Sequence, residues 1–110
     1  MSQNQTKRQR TRLRQLAGIA YERELSAASQ ALFEDFHRWE RKEVDVFQLN
    51  EKIHEFHHGI SRELYGRYGA MDAALAVASA VNRGILKREE VGDDVYCFIE
   101  SLVKGLSISG

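Results

Sequence analysis

Residues 8–41 read RQRTRLRQLAGIAYERELSAASQALFEDFHRWER, and this stretch sets the architecture. No proline interrupts it, nor does one occur elsewhere in the 110 residues, so the residue that breaks helix interiors is absent. Leu25, Ala28, Leu32, Phe36 and Trp39 recur at three- and four-residue steps, with Tyr21 one turn earlier, which is the spacing of one apolar stripe on an α-helix. Leu13, Leu16 and Ala20 form a second stripe displaced around the axis. Gly18, between the two, is a candidate bend, since glycine costs about 1 kcal/mol in a helix relative to alanine. A helix of roughly 30 residues is about 45 Å long, more than a chain of this size needs for its own core. The excess predicts that part of it packs against another chain.

Beyond this stretch, the charged residues 40–43 end the helix, and Asp45-Val46-Phe47-Gln48 has the spacing of a capping box for the next. That second helix carries Leu49, Ile53, Phe56, Ile60 and Leu64 on one face until Gly66 and Gly69 stop it. A third helix over residues 71–83 holds five alanines with Leu75, Val77 and Val81. It is apolar nearly all round, which predicts burial on several sides. Gly84 fits a C-cap, and a short turn comes next over residues 87–91. Gly92, with Asp93 or Asp94 as N-cap, then opens a last helix bearing Val95, Phe98, Ile99, Leu102 and Val103.

The expected fold is therefore all-α: a long N-terminal helix with two to three shorter helices packed against it. The expected assembly is a helical-bundle homodimer formed through helix one or the alanine-rich helix three. Residues 1–6 are polar and unpatterned and read as a disordered tail, and residues 7–110 read as a single all-helical domain.

A hydrophobic fraction of 43% with 29% charged residues is that of an ordinary soluble domain. The longest nearly apolar stretch, residues 73–81, is too short to cross a bilayer, so no membrane association is expected. The polar, basic start lacks the apolar region of a secretory signal. The one cysteine, Cys97, lies in an apolar run and reads as a small buried hydrophobe; a disulfide framework is excluded and a reducing, cytoplasmic setting is expected. The formal net charge is zero, which favours self-association. It conceals five cations without an acid in residues 1–14.

Three of the four histidines fall within Glu51-Lys52-Ile53-His54-Glu55-Phe56-His57-His58-Gly59. Glu34-x-x-His37 and Glu51-x-x-His54 match the pattern of carboxylate-bridged di-iron bundles. At about 100° per residue, however, both motifs project away from their apolar stripes, whereas a di-metal core needs them inward. Glu51, His54, Glu55 and His58 follow i, i+3, i+4, i+7 and line the outer side of helix two, where His54 and His58 could share a divalent metal such as zinc with a third ligand from elsewhere. The plainer reading is a solvated helix face. His57 projects near the margin of the apolar face and reads as a partly buried packing residue.

Lys7, Arg8, Arg10, Arg12 and Arg14 surround the first helical turns and form a basic arm that could neutralise phosphates. A helix-turn-helix over residues 73–95 is rejected, because Glu89, Glu90, Asp93 and Asp94 would repel the backbone of DNA. Arg62, Tyr65 and Tyr68 have the residue types of an interface anchor, although packing at a helix terminus accounts for them too. No nucleophile elbow, phosphate-binding glycine loop or Cys-x-x-Cys occurs, which points away from an enzyme. These features favour a small non-enzymatic interaction or regulatory module that works through protein contacts, as a homodimer and without a cofactor. The alternatives are a metal-binding protein or enzyme using the histidine strip, and a nucleic-acid accessory protein using the basic arm.

Overall fold

In a computed structural model, which describes residues 5–109 and side chains to Ser107, the chain is helical almost throughout, with no strand among the described residues. The first helix, α1 (Lys7–Glu40), is longer than any other and runs unbroken through Gly18. Of the expected tail, residues 1–4 lie outside the described residues. Thr6 has a role that was not anticipated: its hydroxyl accepts from the Gln9 amide at 3.1 Å while Gln9 Oε1 accepts from the Thr6 amide at 2.9 Å, a capping box that starts α1.

The end of α1 is a Schellman motif. The Glu43 amide donates to the Arg38 carbonyl and the Lys42 amide to the Trp39 carbonyl, each at 2.9 Å. The residue this motif places in the left-handed region is Lys42, at φ 63°, where glycine is usual. The capping box of Asp45 and Gln48 then opens α2 (Val46–Glu55).

Gly66 and Gly69 do not stop the second helix. After α2 the chain passes through a π-helical segment (Phe56–Ser61) directly into α3 (Arg62–Ala70), and the helix ends where Met71 turns extended and Asp72 caps α4 (Ala73–Asn82). Leu64, fully buried, and Tyr68, stacked on Tyr21 at 5.0 Å, hold the glycine-containing turns by packing, which outweighs propensity. The π turn is wider than an α turn and shifts the register of α3 against α2. Leu49 and Leu64 are buried as expected, whereas Ile60, assigned to the same face, lies open.

The core sits at the other end of α1. Leu13, Leu16 and Ala20 pack on Ala74, Val77, Ala78 and Ala80 of α4, and the α4–α5 connection adds Leu86. Behind α4, the single turn α5 (Arg88–Val91) gives Val91 and α6 (Asp93–Ser109) gives Val95, Ile99 and Val103. A second Schellman motif ends α4, here with Gly84 at φ 79°. The alanine-rich helix thus buries its small face within its own chain, and of the two expected dimerisation surfaces only α1 stays open. Cys97 is exposed, with Sγ 3.1 Å from the Asp94 carbonyl, because the four-residue step of Val95, Ile99 and Val103 turns it to the other side of α6.

Candidate interaction surface

The second half of α1 and the α2–π–α3 rod form a helical hairpin that projects from the core end and gives the chain its extents of 60 × 27 × 22 Å. A two-helix hairpin gives each helix one neighbour, so apolar residues on its flanks stay in water whatever their size. Leu25, Ala28 and Leu32 are only half-buried. Around the tip, Phe47 is 77% and Phe33 53% exposed, and Phe36, Trp39 and Val46 are also open. On one flank Ala28, Ala31 and Leu32 of α1 face Phe56 and Ile60 across a groove of about 410 Å³, with Asp35, Lys52 and Glu55 at its edges. Contiguous exposed apolar patches mark protein-binding surfaces.

Charge is divided along the same axis. Residues 21–70 hold ten acidic and seven basic side chains, and the remainder of the chain nine basic and six acidic, so the hairpin carries −3 and the core end +3. Lys7, Arg8, Arg10, Arg12 and Arg14 are an ordered part of α1 rather than a loose arm. Among the described residues none of the five has a carboxylate within ion-pair distance. Their guanidinium contacts go elsewhere: Arg12 donates to the Glu90 carbonyl at 3.1 Å, Arg10 to the Gln5 carbonyl at 2.7 Å and Arg14 to the Thr11 hydroxyl at 3.3 Å. Lys7, Arg8, Arg12 and Gln15 line a groove of about 670 Å³ with Asp94 and Val95 of α6.

The histidine strip is split by the π segment. His54 ends in α2 while His57 and His58 lie in the wide turn, and all three are exposed, so His57 is not the packing residue expected of it. His54 and His58 stack face to face, with ring centres 5.9 Å apart and planes within 2°, and His57 packs edge-on against His58 at 5.0 Å. Glu55 turns to Lys52 at 3.6 Å. Among the described residues no three His, Cys, Asp or Glu side chains are grouped to hold a metal ion. Glu51 stands exposed on the same helix.

Of the aromatic segment, Tyr65 is 73% exposed and Arg62 open, but Tyr68 turns inward. Its hydroxyl donates to Glu24 Oε2, part of a cluster that sequence inspection misses. Glu24, its side chain 12% exposed, accepts from Arg83 at 2.5 Å through Oε1 and at 3.2 Å through Oε2, and from Arg67 at 3.4 Å. Burial alone would raise the Glu24 carboxyl; the hydrogen bonds from Arg83 and Tyr68 and the charges of Arg83 and Arg67 outweigh it and hold it below the usual range. Burial and the Glu24 hydrogen bond push the Tyr68 phenol up. Nearby, Arg23 donates to Glu90 through both terminal nitrogens, at 2.6 and 2.9 Å, and to the Ile85 carbonyl at 2.9 Å. Glu90, held by Arg23 and by the Lys87 amide, is lowered to about 2. A signal for the first cluster does exist in the sequence: Glu24 lies four residues from both Ala20 and Ala28, inside the inward face of α1, where a carboxylate needs partners. Together these groups lock α1 to α3, α4 and α5 at the root of the hairpin.

No protein-family model, no curated protein and no solved structure matches the chain.

Proposed function

We propose that the chain is a small non-enzymatic interaction module whose core end is a rigid base and whose helical hairpin binds another protein surface. The observation that carries this reading is the set of exposed aromatic side chains, Phe33, Phe36, Trp39 and Phe47, on a hairpin anchored at its root by Glu24 and Arg23. Aromatic residues are favoured anchors at interfaces because they bury much area at little entropic cost. No helix among the described residues is long and apolar enough to cross a membrane, and the lone open thiol of Cys97 fits a reducing, cytoplasmic setting. A photo-reactive residue at position 47, compared with one at the exposed position 100 of α6, tests the reading in the producing cell. Selective capture of a protein at 47 is expected. Equal capture at both positions, or none at 47, rejects it.

The five uncompensated cations at the start of α1 favour a second reading, contact with nucleic acid. It requires duplex or single-stranded nucleic acid to be retained at low salt by the natural chain and released by Lys7→Glu with Arg8→Glu; undiminished retention by that variant rejects it.

A further inference from the structure

One face of α1 is open to solvent from Gln15 to Glu40, and at its start borders α6 across the basic groove. Near the start it presents Arg8, Thr11 and Gln15, all three on the basic groove. In the middle it presents Gly18, Glu22, Ser26 and Ser29, all exposed, and a Cβ added to Gly18 would meet nothing within 4 Å. At the far end come Phe33, Phe36 and Glu40. These positions follow steps of three and four residues throughout, the repeat of a helix-packing seam. The seam is basic at one end and acidic and aromatic at the other.

From this charge complementarity we infer that the occupant of the face is a second copy of the chain, with the two α1 helices antiparallel about a two-fold axis at the level of residue 24. This inference rests on the reading of the chain as an interaction module and names its partner. About that axis Arg8 lies opposite Glu40 of the second copy, Gln15 opposite its Phe33, and Glu22 opposite its Ser26. The +3 core end of each copy then covers the −3 hairpin of the other, and Arg8, which has no carboxylate partner in its own chain, acquires one. Small side chains near the crossing let the helices approach closely, and Phe33 enters the open space beside Gly18. Because the same patch serves both copies, the contact closes on itself and yields a dimer rather than a filament.

Sedimentation equilibrium between about 1 μM and about 1 mM, a range that reads weak and moderate affinities, should show a species of twice 12.6 kDa and nothing larger. Arg8→Glu and Glu40→Lys should each weaken dimerisation about tenfold or more, since each reversal acts at two symmetry-related places. An equimolar mixture of the two variants should restore the dimer, because each repulsion becomes an attraction in the mixed pair. Native far-ultraviolet circular dichroism with a cooperative melt establishes that both variants are folded. A monomeric mass at every concentration, assemblies that grow beyond two copies, reversals without effect, or a mixture that stays monomeric would each overturn the inference. A monomeric mass together with selective capture of a different protein at position 47 removes the second copy and leaves the interaction module standing.

Discussion

The two ends of α1 reverse the usual relation between side-chain size and burial. At the core end the buried residues are largely alanine and valine, with Ala78 and Ala80 wholly enclosed, while in the hairpin phenylalanine and tryptophan lie open. Burial here tracks the number of neighbouring helices. α4 packs against both α1 and α6, whereas α1 beyond the root of the hairpin packs against the α2–π–α3 rod. Hydrophobicity supplies the drive to bury surface, and topology decides which surface can be buried.

Truncation at the two ends tests this contrast most directly. Ile99→Ala removes a fully enclosed side chain and should cost about 2 to 5 kcal/mol, whereas Phe47→Ser, at a larger residue, should stay within about 0.5 kcal/mol. Urea unfolding of both variants measures this, and comparable losses would show that the hairpin tip is packed after all. Next in size is the root. Glu24→Ala leaves Tyr68, Arg67 and Arg83 without their shared acceptor and should cost about 1.5 to 3 kcal/mol. The depressed Glu24 and Glu90 carboxyls contribute stability that is complete above the usual carboxylate value of 4.5 and is lost as the pH falls below it, for Glu90 toward about 2. Acid titration of the melting temperature should therefore show a fall below about pH 4.5 that is reduced in Glu24→Ala. The smallest effect concerns the two Schellman ends. Lys42→Gly should stabilise by about 0.5 to 1 kcal/mol, since it gives the hairpin turn the residue that Gly84 already provides in the core.

Much of the fold was legible in the sequence, because long periodic segments and caps are local signals. The apolar stripe of α1, the Asp45–Gln48 box, the density of alanine in α4 and the glycine at position 84 are each readable within nineteen residues or fewer. The π segment was not legible. Its residues continue an acceptable α pattern, and the wide turn shows itself in the lost burial of Ile60 and His57. The Glu24 cluster joins residues 43 to 59 positions apart, and its partners could not be chosen without the topology. The open aromatic residues were misplaced for the same reason. Periodicity identified Phe36 and Trp39 as apolar-face residues but could not say that the face has only one neighbour.

The wide turn at Phe56–Ser61 also bears on how the hairpin tolerates changes in length. α2 is fixed at the tip by its capping box and α3 at the root by Leu64 and Tyr68. Between these anchors the chain holds one residue more than an α-helix would, and takes up the surplus as a bulge around His57, His58 and Gly59. No residue in the bulge is fully buried, and Gly59 has open space on its side-chain face. The hairpin therefore has slack at one place, where a residue can be lost without moving either anchor, while the same deletion in α1 would rotate half the molecule against the other.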